Sequence, residues 1–285
     1  MRVDNVTTTD GTRLSVLVWP HDGPGGPPFL LVHGLASNCR TWEEVGDLLA
    51  AAGHPVAAVD QRGHGRSDKP DAGYDFATLC ADLIDVIDGL GYDRPVVVGQ
   101  STGGNIAVEL GRRAGERLAG VAGVDGGALE LADQWPEWED CVRALAPPEL
   151  SGVRATDMEH RIRSAHPSWS ERGVAATMAN YRTLADGTVR AWLSFDRHLA
   201  ILRSLWEHRP SQVFPELRTA LLLALADTGD DWVPAKRVEA AKAERLAPRC
   251  RVHWFSPADH DIHVERPAEL ARLLHAACVD GFFAP

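Results

Sequence analysis

The chain has 285 residues, of which 45% are hydrophobic and 24% charged, an ordinary balance for a globular protein that excludes fibrous, coiled-coil and disordered readings. Its 29 Lys and Arg stand against 40 Asp and Glu, and the resulting charge of −11 argues against binding a phosphate backbone or an anionic membrane. The five cysteines, Cys39, Cys80, Cys141, Cys250 and Cys278, are odd in number and lack a Cys-x-x-Cys pair. Neither a disulfide framework nor a structural zinc site is therefore expected, and a reducing cytoplasm is the expected location. The stretch Met1 to Leu14 is polar without an apolar core of signal-peptide length, and the apolar run Ala220 to Ala226 is too short to span a bilayer.

In chain order, short apolar runs predict strands at Leu14–Trp19, Phe29–His33, Val56–Asp60, Val96–Gly99, Leu118–Asp125, Ala220–Ala226 and Arg251–Ser256. A turn-rich run, Asp22 to Pro28, separates the first two. Amphipathic patterns lie between the strands. Leu79, Leu83, Ile87 and Leu90 form one helical stripe, and Leu270, Leu273, Leu274 and Ala277 form another after Pro267. Apolar strands alternating with helices imply a mostly parallel α/β sheet covered on both faces. From Ala128 to Val213 the rhythm stops. No strand is expected there, only helical patterns with five of the nine tryptophans. An insertion this long is expected to be a helical cap, residues 128–213, on a core of residues 1–127 and 214–285.

Gly99-Gln100-Ser101-Thr102-Gly103 follows the apolar strand Val96–Val98 and precedes Ile106, Ala107 and Leu110 at helical spacing. The pattern Gly-x-Ser-x-Gly between strand and helix describes a sharp turn that exposes the serine, with glycines where side chains would collide. Ser101 is thus the expected nucleophile. In its sequence the chain resembles the α/β-hydrolase superfamily, on this elbow, on Leu31-Val-His-Gly-Leu-Ala36 and on Val59-Asp-Gln-Arg-Gly-His-Gly-Arg-Ser-Asp68. The resemblance implies an α/β-hydrolase fold with a helical cap and an oxyanion hole built from the backbone N–H groups of Leu35 and Thr102. His33 and His64 are expected to hold loops together by hydrogen bonds.

A serine hydroxyl needs a base, and in this fold the order is serine, acid, histidine. Of the late histidines, His253 is expected to be packed in its strand and His275 to ride the last helix. Asp259-His260-Asp261-Ile262-His263 remains. The resemblance favours His260, because Glu265 and Pro267 follow at the family's spacing, with His263 behind it. A metal site at Asp259, His260, Asp261 and His263 is the rival reading, set aside because Ser101 would have no role. For the acid, the resemblance implies Asp230, because relatives often carry a Pro four residues after the acid and Pro234 stands there. Asp227 stands where the family usually has Gly, which leaves Asp227 open, and Asp125 stays open because it ends an earlier strand from which some relatives take their acid.

The implied reaction is acyl transfer to water with no cofactor and no metal. Because the elbow carries Ser rather than Asp, likeness to epoxide hydrolases and haloalkane dehalogenases is expected to end at the fold. The first expectation is hydrolysis of a small, largely apolar ester or lactone. Carbon–carbon hydrolysis, amide hydrolysis, perhydrolysis and a slow ligand receptor remain alternatives. The partner is a small molecule rather than nucleic acid or membrane, and a homodimer stays open. Trp135, Trp138, Phe195 and Trp206 are the expected substrate-binding residues in the cap, since large aromatic side chains can wall an apolar pocket.

Overall fold

The computed structural model describes residues 1–21 and 25–283, so the run Asp22 to Pro28 lies partly outside the described residues. Ten strands are present among them: β1 (Arg2–Thr7), β2 (Arg13–Trp19), β3 (Phe29–Val32), β4 (Val56–Val59), β5 (Val96–Gln100), β6 (Gly120–Val124), β7 (Tyr181–Thr183), β8 (Val189–Ala191), β9 (Ala220–Ala226) and β10 (Cys250–Phe255). Eight form one sheet in the order β1-β2-β4-β3-β5-β6-β9-β10. The β1–β2 and β2–β4 pairs are antiparallel, and every other pair in that sheet is parallel.

The central strands are apolar on both faces because both faces are covered. In β3, Leu30 and Val32 join one core cluster while Phe29 and Leu31 join the other. In β9, Leu221, Leu223 and Leu225 face the first, and Ala220, Leu222, Ala224 and Ala226 the second. On the second face lies α1 (Glu43–Ala51), whereas α2 (Phe76–Leu90) and α3 (Thr102–Ala114) cover the first. The start of α2 is fixed by Asp75, whose side chain accepts from the Thr78 N–H, and its end by Gly91 at φ +66°.

Between β6 and β9 the chain leaves the sheet. That excursion holds α4 (Leu131–Gln134), α5 (Trp138–Leu145), α6 (Ala155–Ala165), α7 (Glu171–Met178), α8 (Phe195–Glu207) and α9 (Pro210–Val213). It also contains the antiparallel pair β7–β8, against the expectation of a strand-free cap. The three-residue strands, joined across Asp186 and Gly187, are too short and polar to register as an apolar run. Part of the excursion has its own small core of Met158, Ile162, Trp169, Val174 and Val189, joined by Val264. Another part, including Leu131, Cys141, Leu202 and Leu205, packs into the main core. After β9 come α10 (Val233–Leu246), β10, α11 (Ile262–Glu265) and α12 (Pro267–Val279).

One strand lies outside the expected set, and one expectation needs correction. The polar stretch Arg2–Thr7 is an edge strand with only Val6 turned inward, so its period-2 signal is a single residue deep. His253 is exposed rather than packed, because β10 is the opposite edge of the sheet and presents a face to solvent. No helix among the described residues is long and apolar enough to cross a membrane.

Candidate active site

Ser101 sits between the end of β5 and the start of α3 at φ +51° and ψ −121°, a conformation L-residues rarely hold. The flanking glycines are sterically required. A Cβ on Gly99 would lie 2.0 Å from the Gly103 carbonyl oxygen, and one on Gly103 would lie 2.6 Å from the carbonyl oxygens of Val32 and His33. The elbow is tied to the next strand by the Ser101 N–H, which donates to the Val124 carbonyl at 2.9 Å.

His260 lies in the turn before α11, its side chain half exposed, and its Nδ1 is 2.6 Å from Asp125 Oδ2. Asp125 follows β6 at φ +40° with its side chain 1% exposed. Its Oδ1 accepts the Ala226 N–H at 2.9 Å, and its Oδ2 also accepts from Lys236 Nζ at 2.8 Å. Burial alone would raise the Asp125 carboxyl. The His260 hydrogen bond and the charges of His260 and Lys236 outweigh it and hold the group below the usual carboxylate range. The opposite balance acts on His260: burial lowers its pKa, but the Asp125 hydrogen bond and the negative charges of Asp261 and Asp125 raise it above 6.5.

The leading expectation for the acid is therefore corrected by the geometry. Asp230 is exposed in the turn after β9, and its Oδ1 accepts the Trp232 N–H at 2.9 Å, leaving it as a local turn carboxylate rather than the partner of His260. Asp227 bonds Arg237 at 3.2 Å and Ser256 at 3.3 Å. The spacing to Pro234 marks the start of α10 and nothing more. It is Asp125, on the neighbouring strand, that reaches the histidine.

His263 is buried with its ring 4.5 Å from that of Trp42, and burial pushes its pKa down to about 4. It lines neither cavity containing Ser101. Asp259 binds His166 at 2.9 Å and His260 binds Asp125 at 2.6 Å, so two of the four possible metal ligands of this segment are engaged elsewhere. Elsewhere, the carboxylates of Glu130, Asp133 and Glu239 lie close enough to share an ion, but Lys242 Nζ bonds all three at 2.9 to 3.4 Å.

The His33 Nε2 accepts the Gln61 N–H at 3.1 Å, and the His64 Nε2 accepts the Ala36 N–H at 3.3 Å. Both rings tie the loop after β3 to the loop after β4. Burial lowers their pKa values to about 4 and about 3, so both are neutral at pH 7. Among the described residues, the N–H groups of Leu35 and Thr102 donate to no protein acceptor. Both residues line a 350 Å³ cavity together with Ser101, Asp125 and His260. Leu35, Ser101 and His260 also border a second, more polar space of 180 Å³ with Gln100, Thr177, Asn180 and Asp261.

The four aromatic residues expected to bind substrate line neither space. Trp135 packs edge-on against Trp232 at 5.2 Å, and its carbonyl accepts the Trp206 indole N–H at 2.7 Å. Trp138 and Trp206 lie 5.8 Å apart with the Arg203 guanidinium over both rings. Phe195 is 53% exposed and borders a separate groove beside Trp192. These side chains pack within the excursion between β6 and β9 and on its surface. The larger cavity is walled instead by Leu129, Leu131, Leu145, Leu202, Leu205 and Trp232, with His198, Thr228, Asp230 and Lys236 as polar members. Of these, the sequence points to Asp230 alone, and to it as an acid rather than as pocket wall.

A family model described as the alpha/beta hydrolase family matches residues 29–273. The chain belongs to that family. Among sequence relatives of this alpha/beta hydrolase, Epoxide hydrolase A of Mycobacterium tuberculosis is 35% identical over 135 residues, 47% of this chain and 41% of that protein. The matched segment thus spans about two fifths of that relative's length. Among solved structures, E-2-(acetamidomethylene)succinate hydrolase superposes with a TM-score of 0.76 at 21% identity, covering 98% of this chain and 99% of the other. A putative aryl esterase from Burkholderia cenocepacia gives 0.73 at 23% identity, covering 99% of both. At these identities the likeness speaks to the fold.

Proposed function

We propose that this alpha/beta hydrolase cleaves a small, largely apolar carboxylic ester or lactone through an acyl-enzyme on Ser101. The observation that carries the reading is the strained elbow of Ser101 opening onto the same cavity as a His260 held by a buried carboxylate. In this scheme the Ser101 hydroxyl attacks the substrate carbonyl carbon and its proton passes to His260 Nε2. Asp125 keeps the proton of Nδ1 in place and stabilises the imidazolium. The N–H groups of Leu35 and Thr102 stabilise the oxyanion. Collapse of the intermediate expels the alcohol, which takes the proton from His260. Water then adds to the acyl-enzyme with His260 as base, and the acid leaves as Ser101 regains its proton. A serine hydroxyl and unpaired N–H donors support acyl transfer over the epoxide opening named for the sequence relative.

The test is Ser101→Ala together with a fluorophosphonate probe. Turnover of a short-chain aryl ester should fall at least 100-fold with the melting temperature nearly unchanged, and the probe should mark Ser101 alone. Activity retained within 100-fold, or labelling of another serine, would overturn the assignment.

A further inference from the structure

His198 lies on α8, in the excursion above the sheet, and is only 6% exposed. Its Nε2 is 3.0 Å from the Leu145 carbonyl oxygen. A carbonyl can only accept, so Nε2 carries the ring proton and Nδ1 is left with a bare lone pair. Burial also pushes the pKa of this ring down, which keeps it neutral. Nδ1 finds no hydrogen-bond partner among the described residues. A buried acceptor without a donor is costly, and such atoms in folded proteins call for an explanation.

The surroundings supply one. His198 lines the 350 Å³ cavity that contains Ser101, Thr102 and Leu35, and whose other walls are mostly leucine. Thr228, another residue lining that cavity, also carries a buried hydroxyl oxygen without a partner among the described residues. One comes from the cap and the other from the core, from the turn after β9. The remaining polar groups are accounted for: Lys236 is paired with Asp125, and Asp230 with the Trp232 N–H. An apolar pocket lined by two residues with unsatisfied polar atoms suits an apolar group that carries one polar substituent.

We propose that His198 is a specificity-determining residue, whose Nδ1 accepts a hydrogen bond from a hydroxyl on an otherwise apolar acyl group. The substrate class narrows from apolar esters to esters or lactones of hydroxy acids. This inference rests on the acyl-transfer reading above, yet its binding step can be measured apart from catalysis.

The experiment compares 4-nitrophenyl hexanoate with its 2-, 3- and 6-hydroxy counterparts on the wild type, His198→Phe and His198→Asn, with melting temperatures for each. At least one hydroxylated ester should exceed hexanoate in kcat/KM by about tenfold or more on the wild type. The preference should vanish in His198→Phe and survive in His198→Asn, whose side-chain oxygen remains an acceptor. Equal rates for all esters on the wild type, or an equal loss for all of them in His198→Phe, would overturn the proposal. If no ester is turned over by any variant, the acyl-transfer reading has failed, and calorimetric binding of hexanamide and its hydroxy counterparts decides this one. Hydroxyl-selective binding lost in His198→Phe upholds it, and binding without selectivity overturns it.

Discussion

Asp125 Oδ2 lies 2.6 Å from His260 Nδ1 and 2.8 Å from Lys236 Nζ, so one buried carboxylate oxygen serves an imidazole and an ammonium at once. Its other oxygen is held by the Ala226 N–H, from the end of the adjoining strand. The carboxylate is thus pinned by backbone and cation, and the ring is oriented by the carboxylate.

The first prediction separates the acids. Asp125→Asn should lower kcat by orders of magnitude on a short aryl ester, since an amide cannot stabilise the imidazolium and offers an N–H toward a nitrogen that should itself donate. Asp230→Asn should stay within about threefold, because it changes only a turn bond to the Trp232 N–H. Steady-state kinetics on the two purified variants, with circular dichroism to check folding, decides it. A crippled Asp230→Asn beside an active Asp125→Asn would reverse the assignment.

Lys236 sets up a pH prediction. A base must be neutral to accept the Ser101 proton, so kcat/KM should fall on acidification through the pKa of His260. That pKa is raised by Asp125 and Asp261 and lowered by burial and by Lys236, with the raising effects ahead. The acid limb should therefore have its midpoint above the ordinary imidazole value of 6.5. Lys236→Met removes a positive charge and should move the limb to still higher pH. A pH–rate profile whose midpoint falls below that of the wild type would contradict the charge balance described.

The stability of the loop before α2 rests on a buried ion pair. Arg62 has a side chain 2% exposed, and its guanidinium makes two bonds of 2.6 Å to Asp82, itself 6% exposed, with a further bond to Asp10. Asp82→Ala strips the buried partner and leaves a charge that only the half-exposed Asp10 can meet. A loss of about 3–5 kcal/mol is expected in denaturant unfolding, since removing one member of a buried pair leaves the other uncompensated. Asp10→Ala should cost far less. Equal effects of the two would mean that burial does not govern this network.

Much of this arrangement is legible in the sequence because it is local. The elbow is five contiguous residues whose glycines answer backbone contacts, and the central strands are apolar throughout because both faces are covered. What is not legible depends on which strand ends become neighbours. β6 and β9 lie side by side, so Asp125 at the end of one and Asp230 beyond the other compete for the same histidine, and proximity to Pro234 carries no information about that. The available signal was Asp125 ending an apolar strand just before Gly126 and Gly127. A Cβ on Gly126 would lie 2.1 Å from the Ser101 carbonyl oxygen, which shows how closely that turn approaches the elbow. The pocket wall was misread for another reason. Aromatic size points to Trp135, Trp138, Phe195 and Trp206, whereas His198, Leu202 and Leu205, spaced i, i+4, i+7 on α8, form the stripe that turns inward.

That stripe gives the last prediction. Leu205 lines the Ser101 cavity, and the adjacent Trp206 instead bonds the Trp135 carbonyl and lies under Arg203. The two residues are neighbours in sequence but turn to opposite duties on one helix. Leu205→Ala enlarges the cavity and should change kcat/KM unequally for short and bulky acyl groups, by about 1–3 kcal/mol between the extremes. Because Leu205 also belongs to the main core, this variant should lose about 2–5 kcal/mol of stability as well. Trp206→Ala should lower the melting temperature yet scale all acyl groups by the same factor, since it removes packing against Trp135 and Trp138 rather than pocket wall. The discriminating quantity is therefore the ratio of kcat/KM between a bulky and a short ester, measured below the melting transition of both variants. A shifted ratio in Trp206→Ala with an unchanged one in Leu205→Ala would return the pocket to the aromatic residues of the cap.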